Sequence, residues 1–298
     1  MWFRSLRTIG EDLKIVTKEG SRNGQRAETL VGVILTLNEV HDIRRSIASL
    51  RWCDSIVVVD SGSTDGTAEV SASLGIRVLT RIQEAPFLIS EQRNWAVEQL
   101  SREFAWVVFL DADEEATAPF GAEVRLCIED GRHDAYYAAP AFIFREKWLR
   151  RTSGFPNWHP RVVRTSGPVR FLGGVWEDFD SRSRVGRISE PYLHYPNSKG
   201  LSDWIAKHDR YALWEADRLH GSGRRQVHRR RVLRQIRYRL GPMRKYVSIF
   251  YLLVLRRGLL DGRTAVAYCR RMWIYELLID AHLDDMRFDL KKEERGHG

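Results

Sequence analysis

The sequence is poor in cysteine and lacks any apolar run long enough to cross a membrane. Its three cysteines, Cys53, Cys127 and Cys269, lie far apart and form no Cys-x-x-Cys pair. A disulfide framework and a cysteine-based zinc site are therefore not expected, and the composition fits a reducing compartment. The longest apolar run, Val247–Leu255, contains Ser248 and falls short of the ~18 residues that a spanning helix needs. The N-terminal residues show no apolar stretch of signal-peptide length, so we expect neither a signal peptide nor a membrane span.

Acidic residues are missing from one stretch near the C-terminus. Ten basic residues and no acid lie between Arg224 and Lys245. Residues 221–298 carry a net charge of +11, whereas residues 1–220 carry −2. A nearly neutral body with a basic C-terminal part predicts attraction to an anionic surface.

Alternating strand-like and helix-like patterns begin after a polar arm at residues 1–29. Four apolar runs have the length and composition of buried strands, and segments of helical spacing separate them. This alternation predicts an α/β fold with a mostly parallel sheet and flanking helices. The predicted strands are Leu30–Leu37, Ser55–Asp60, Ile76–Leu79 and Ala105–Leu110, and the predicted helices are Glu39–Leu50, Thr67–Leu74 and Ser90–Leu100.

The pattern changes near residue 134. Residues 135–200 are rich in aromatic residues, glycine, proline and arginine, which predicts an irregular, partly β region that carries a site. Residues 201–298 are predicted to be helical, with helices from Ser202 to Leu219 and at about 224–240, 243–257 and 264–286.

Polar and acidic side chains follow three of the predicted strands. Asn38 and Glu39 follow the first strand, Asp60 ends the second, and Asp111 and Asp113 follow the fourth. Because open α/β sheets bind ligands at the carboxyl ends of their strands, these side chains are candidates for one site. Carboxylates there could hold a ribose and, through Mg²⁺ or Mn²⁺, a diphosphate. Each motif alone is also explained as a turn or a helix cap, and Asp111 and Asp113 alone are better explained as an acidic loop that caps the next helix.

The three motifs together resemble the family 2 glycosyltransferases, inverting enzymes of the Rossmann-like GT-A fold that use nucleotide sugars. Within that family the sequence is more similar to the lipopolysaccharide core β-1,4-glucosyltransferase-like subgroup, over about residues 30–285. The matching segments are Leu37–Glu39, Asp60–Thr67, Glu91–Asn94, Leu110–Glu114, Pro156–Trp158, Arg161–Arg164, Lys207–Ala212 and Gly258–Arg263.

The resemblance implies a role for each matched position. It implies a GT-A catalytic domain at residues 30–200, with a nucleotide-sugar half at about 30–134 and an acceptor half at about 135–200. Thr36, Asn38, Glu39 and Asp60 would line the nucleotide pocket, Arg93 would lie near the diphosphate, Asp111 would contact the ribose or uracil, and Asp113 would bind the metal, Mg²⁺ or Mn²⁺.

The resemblance also implies a catalytic base on the acceptor side. Glu177 is the candidate, and Asp178 is its rival, because Trp176 replaces the histidine usual before the glutamate in the subgroup. Further candidates for phosphate contacts, which are otherwise surface residues, are Arg161, Arg164 and His194. Lys207, His208 and Arg210 lie on one predicted helix, and the pair Lys207 and Arg210 shares a face that could meet a phosphate.

The basic C-terminal residues suggest a membrane interface. Apolar and basic side chains alternate there at helical spacing before Tyr246–Leu255, as in helices that lie on anionic lipid. A solvated helix packed on the catalytic domain is the alternative. No zinc finger, recognition helix or RNA-binding signature is present, so no nucleic acid partner is expected. The apolar residues are Val232, Leu233, Ile236 and Leu240, and the basic ones are Arg230, Arg231, Arg234 and Arg237.

The combined expectation is a metal-dependent inverting glycosyltransferase. It would move a hexose, with UDP-glucose as the first candidate donor, onto an envelope glycolipid or saccharide such as lipopolysaccharide core. The protein would be cytoplasmic and peripheral at the inner membrane. The alternatives are a nucleotide-sugar-binding protein without catalysis, a nucleotidyltransferase, and a nucleic-acid-binding protein.

Overall fold

The computed structural model describes residues 28–84, 87–174, 177–181, 184–220 and 239–296. Most of the predicted N-terminal arm therefore lies outside the described residues. The same holds for Trp176 and for the predicted basic helix as far as residue 238, including its arginine cluster.

Thirteen strands and seven α-helices occur in the described part of the chain. The strands are β1 (Leu30–Thr36), β2 (Ser55–Asp60), β3 (Arg77–Thr80), β4 (Trp106–Asp111), β5 (Glu114–Glu115), β6 (Ala135–Ala138), β7 (Pro140–Phe144), β8 (Lys147–Trp148), β9 (His159–Arg164), β10 (Phe171–Leu172), β11 (Asp178–Phe179), β12 (Val185–Arg187) and β13 (Tyr192–His194). The helices are α1 (Ile43–Ser49), α2 (Thr67–Ser73), α3 (Ile89–Leu100), α4 (Ala118–Asp130), α5 (Gly200–His220), α6 (Arg244–Phe250) and α7 (Arg263–Gly296).

The central sheet has seven strands in the order β12-β6-β9-β4-β1-β2-β3. Strand β9 runs antiparallel to both of its neighbours, and every other pair is parallel. All seven residues of β1 are buried, as expected for a strand covered on both faces by helices. The predicted α/β fold with a mostly parallel sheet is therefore confirmed.

A second sheet connects the acidic segment after β4 to the C-terminal half. Its strand order is β5-β13-β7-β8, and β13 pairs with β5 so that His194 lies opposite Glu114. This pairing brings two segments about 80 residues apart to the same edge of the central sheet.

The C-terminal helices form a packed pair behind this edge. Helix α5 lies against α7, with Ala212, Ala216 and Leu219 in contact with Ile279 and Leu283. In the described part of the chain, no helix combines the length and apolarity that crossing a bilayer requires.

Two predicted helices differ from the structure. The first was expected from Glu39 but begins at Ile43, because Glu39–Asp42 form a turn in which Asp42 and Ile43 donate their N–H groups to the carbonyl of Glu39. The helix expected at 243–257 is interrupted, since a π-helical turn at Tyr251–Leu255 follows α6.

Candidate active site

The carboxyl ends of β1, β2 and β4 place three predicted site residues side by side. Thr36 pairs in register with Asp60, and Leu35 pairs with Asp111. The register therefore brings the first, second and fourth strand ends to one edge, as the sequence motifs predict.

Asp60 organises the loop that follows β2. Its Oδ2 accepts hydrogen bonds from the N–H groups of Gly62 (3.0 Å) and Ser63 (2.9 Å), and its Oδ1 accepts one from the Ser63 hydroxyl. Asn38 joins this loop, since its N–H donates to Ser63 Oγ at 2.8 Å and its Oδ1 accepts from Thr64 N–H. Gly62 has a φ of +95°, which explains glycine at this turn. Both oxygens of Asp60 thus hold the loop in shape.

Glu39 lies at the same edge in an unusual electrostatic setting. Its Oε1 is 2.7 Å from Lys199 Nζ, whereas its Oε2 is buried without a hydrogen-bond partner. Burial, with a further contribution from the negative charge of Asp113, raises the pKa of Glu39 to about 7, although Lys199 opposes the shift. Thr36 Oγ1 is also buried without a partner, so two unpaired polar atoms lie at this edge.

Arg93 connects Asp111 to Glu177 inside the protein. Its side chain is fully buried, with Nη2 3.0 Å from Asp111 Oδ1 and Nε 2.6 Å from Glu177 Oε1. The Glu177 side chain is only 7% exposed. The predicted diphosphate, ribose and base residues therefore form one connected cluster.

Arg161 is the second cation of this cluster. Its Nη2 is 2.9 Å from Glu114 Oε1 and 3.6 Å from Asp111 Oδ2, and its Nη1 is 3.4 Å from Glu177 Oε2. Burial acts to raise the pKa of Asp111, but Arg93 and Arg161 outweigh it and hold that pKa below its usual value. Burial raises the pKa of Glu114. Two arginines thus face three carboxylates.

Asp113 faces a different pair of basic groups. Its Oδ2 is 3.5 Å from both His194 Nε2 and Lys207 Nζ, contributed by β13 and α5. Burial opposes ionisation of Asp113, but these groups overcome it and lower the pKa of the carboxyl. Asp113 in turn raises the pKa of Lys207, and it raises that of His194 against the effect of burial. Asp113 is therefore a buried carboxylate between the Lys207 ammonium and the His194 imidazole.

Asp178 does not join the Arg93 cluster. Its Oδ1 accepts hydrogen bonds from the Tyr137 hydroxyl and from the N–H of Phe179. Glu177 and Asp178 are adjacent, and their side chains reach different surroundings. Of the two candidate bases, Glu177 is the one that lies with Asp111.

The donor groups around Asp113 fit a divalent cation only in part. In the residues that the structure describes, no group of three His, Cys, Asp or Glu side chains is placed to hold a metal. Asp113 and His194 offer one carboxylate oxygen and one imidazole nitrogen close together. Mg²⁺ and similar ions usually take few protein ligands and complete their shell with substrate phosphates and water. The residues present therefore fit a cation whose remaining ligands come from a diphosphate.

Sequence reasoning missed Glu114 as a separate site residue. It treated Arg161, His194 and Lys207 as general phosphate candidates, whereas the structure places each against a particular carboxylate. The available sequence signal for Glu114 was the acidic run that follows β4. The structure adds that the strand of Glu114 pairs with the strand that carries His194.

Residues 33–183, just over half of the chain, match the sequence profile described as glycosyl transferase family 2. The chain belongs to this family, as its strand-end motifs predicted. The lipopolysaccharide core biosynthesis glycosyltransferase LpsC of Rhizobium meliloti is 39% identical over 87 residues, which are 28% of this chain and 32% of that protein. An uncharacterized glycosyltransferase of Rickettsia felis is 31% identical over 113 residues, 37% of this chain and 38% of that one. The chain spans two fifths or less of the length of such curated relatives.

Solved structures give more distant similarities. A crystal structure of Staphylococcus aureus TarS, residues 1–349, aligns with 88% of this chain and 92% of its own, at a TM-score of 0.42 and 13% identity. Glucosyl-3-phosphoglycerate synthase from Mycobacterium tuberculosis, crystallised with Mn²⁺ and UDP-glucose, aligns with 49% of this chain and 62% of its own, at a TM-score of 0.36 and 20% identity.

Proposed function

We propose that this protein is an inverting hexosyltransferase that uses a nucleotide diphosphate sugar. The main support for the proposal is the position of Asp113, a buried carboxylate at the carboxyl edge of the sheet. Its Oδ2 lies 3.5 Å from both His194 Nε2 and Lys207 Nζ. A diphosphate brought to this point meets cationic groups that can bind it. Family membership supports the reaction type.

The leaving group explains why cations are needed here. In an inverting transfer, the acceptor oxygen attacks the anomeric carbon, the bond from that carbon to the diphosphate oxygen breaks, and the nucleoside diphosphate departs with added negative charge. Lys207 is placed to stabilise that charge by electrostatic attraction in a partly buried site. A Mg²⁺ or Mn²⁺ ion held by Asp113 and His194 would supply further charge neutralisation when bound.

The nucleotide would bind across the first two strand ends. Thr36 Oγ1 and Glu39 Oε2 are buried polar atoms without partners, and such atoms are costly unless a ligand or water pairs with them. The loop shaped by Asp60 and Asn38 forms the adjoining wall. Asp111 is the proposed contact to the ribose or uracil.

Glu177 is the proposed catalytic base, and Asp178 remains its rival. A base must accept the proton of the acceptor hydroxyl as the new bond forms. Both oxygens of Glu177 contact arginines, so the role requires that one of these contacts, to Arg93 or Arg161, be exchanged when the donor binds. A donor diphosphate that competes for Arg93 would make that exchange.

The proposed acceptor is an envelope glycolipid or saccharide such as lipopolysaccharide core. The name of the Rhizobium meliloti relative supports this class. UDP-glucose is the first donor to test. The proposed location is the cytoplasmic face of the inner membrane, with peripheral attachment to anionic lipid through the basic C-terminal part of the chain.

The test combines donor binding and product release. Thermal shift with UDP, UDP-glucose and other nucleotide sugars, with and without Mn²⁺, should identify a stabilising ligand. That nucleotide sugar should then release its nucleoside diphosphate, and Asp113→Asn should slow the release by about 10²–10³-fold. Asp130→Asn is the matched control, because Asp130 is a surface carboxylate paired with Arg132.

The outcomes separate the alternatives. Binding without product indicates a nucleotide-sugar-binding protein, and release of pyrophosphate from a nucleoside triphosphate indicates a nucleotidyltransferase. Full turnover by Asp113→Asn would refute the proposed role of Asp113. For the base, Glu177→Gln should abolish transfer and retain donor binding, whereas Asp178→Asn should retain transfer; the reverse pattern assigns the role to Asp178.

A further inference from the structure

An apolar stripe is exposed along the segment that precedes α7. Seven large apolar or aromatic side chains there are between 46% and 65% exposed. Their spacing of three and four residues places them along one side of the helical segment formed by α6 and the following π-helical turn. We call this the apolar stripe, and its members are Met243, Tyr246, Val247, Phe250, Tyr251, Val254 and Leu255.

The side of the same segment that carries Arg244 and Ser248 faces the protein. Arg244 is buried and ion-paired with Glu276 and Asp280 of α7, and the Ser248 hydroxyl donates to Glu276 Oε1 at 3.0 Å. Helices on the surface of a water-soluble protein normally turn their apolar side inward. Here the inner side carries Arg244 and Ser248 together with half-buried apolar residues, and a second apolar side is left outside. The half-buried residues are Ile249, Leu252 and Leu253. A contiguous exposed apolar surface of this kind marks a site of interaction.

The segment is fastened to the catalytic domain at its end. Asp261 is buried, and its Oδ2 accepts hydrogen bonds from Thr152 N–H (2.8 Å), Thr152 Oγ1 (2.7 Å) and Arg151 N–H (3.0 Å). Lys147 Nζ donates to the Asp261 carbonyl at 2.6 Å. The apolar stripe therefore has a fixed position relative to the catalytic domain.

The exposed charged residues that flank the apolar stripe along the chain are arginines. Arg239, Arg257 and Arg263 are exposed at its two ends. Asp261 is the only acid between Arg239 and Arg263 in the sequence, and it is buried. Leu259 and Leu260, 59% and 65% exposed, extend the apolar surface between these arginines. An apolar surface bordered by arginines is complementary to an anionic lipid bilayer, where apolar side chains enter the acyl boundary and cations meet the head groups.

We propose that the apolar stripe inserts into the surface of an anionic membrane and fixes the catalytic domain there. This proposal rests on the membrane attachment proposed above and makes it more specific. It assigns insertion to the apolar stripe rather than to the arginine-rich stretch that precedes it in the sequence. The two contributions differ in their response to salt. Electrostatic attraction of exposed arginines weakens as salt is added, whereas insertion of apolar side chains does not.

The experiment is flotation of the full chain with vesicles of phosphatidylcholine and phosphatidylglycerol. The test variant is Phe250→Ser with Leu255→Ser, and the control is Leu74→Ser with Leu126→Ser, which alters exposed leucines elsewhere. Burying one large apolar side chain changes a partition constant roughly tenfold or more. We therefore expect at least a tenfold loss of vesicle binding in the test variant at 0.1 M and 0.5 M salt, and none in the control.

Several results would overturn the proposal. The proposal is wrong if the wild-type protein does not float with the vesicles, or if the test variant binds vesicles like wild type. It is also wrong if the wild-type protein is a dimer that the test substitutions dissociate while vesicle binding is unchanged. Circular dichroism and thermal melting check that the variant is folded. Release of nucleoside diphosphate, measured without vesicles, should stay the same in the variant. Absence of turnover would therefore count against the proposed reaction, whereas absence of vesicle binding would count against the proposed membrane surface.

Discussion

Glu39 should make the stability of this protein depend on pH near neutrality. Its carboxyl has a pKa of about 7 in the folded protein, chiefly because of burial, against 4.5 for an ordinary glutamate. Below pH 4.5 both the folded and the unfolded chain bind this proton. Between pH 4.5 and 7 the unfolded chain releases it and the folded protein retains it, so the free energy of unfolding falls as pH rises.

The size of the effect follows from the two pKa values. The interval from 4.5 to about 7 corresponds to roughly 3 kcal/mol of unfolding free energy, which is lost progressively between pH 4.5 and pH 7. Glu39→Gln keeps the shape of the side chain and removes the titration. The variant should therefore gain up to about 3 kcal/mol relative to wild type between pH 4.5 and pH 8.

The assay is urea denaturation of both proteins at pH 4.5, 6 and 8, with a carboxyl NMR titration of labelled glutamate as the direct measurement. The contact with Lys199, 2.7 Å from Glu39, stabilises the ionised carboxyl and is therefore already included in the pKa of Glu39. Effects of the substitution that do not depend on ionisation appear as a constant offset between the two proteins. If the difference in stability between them stays the same from pH 4.5 to pH 8, the electrostatic argument for Glu39 is wrong.

Three further substitutions test other parts of the structure. Asp113→Asn should lower the pKa of His194, because burial is then no longer opposed by the carboxylate, and an imidazole NMR titration that finds no decrease contradicts the geometry. The same change should reduce turnover by about 10²–10³-fold in a steady-state assay. Arg93→Met leaves the buried Glu177 and the partly exposed Asp111 short of a cation and should cost about 3 kcal/mol in urea denaturation; a change under 1 kcal/mol argues against the cluster. Gly258→Ala puts a Cβ 2.4 Å from the carbonyl oxygen of Leu252, so the melting temperature should fall with a loss of about 1–3 kcal/mol, and an unchanged melting temperature would show that the segment is not fastened as described.

The candidate site depends on contacts between distant parts of the chain. Arg93 and Glu177 are 84 residues apart, and Lys207 reaches Asp113 from 94 residues away. Charges that converge in this way are buried only because the sheet and α5 are already packed around them. Their combined arrangement is therefore a property of the folded protein, even though each residue type was a candidate by itself.

Local sequence was sufficient to predict the strands β1, β2 and β4 of the central sheet. A strand buried on both faces must be apolar throughout, so Leu30–Thr36, Ser55–Asp60 and Trp106–Asp111 were recognisable as strands from their side chains alone. Because parallel strands end at one edge, the same runs also predicted that Asp60 and Asp111 lie close together.

Only the tertiary structure decided how the later segments complete this edge. No local pattern indicates that β9 enters the sheet antiparallel between β4 and β6, which carries Arg161 to Glu114. Nor does the sequence of α6 indicate which side faces outward, since that depends on the pairing of Arg244 with Glu276, 32 residues away. Periodicity specifies which side chains share a face, but the partner that covers the face is determined by packing between segments far apart in the chain.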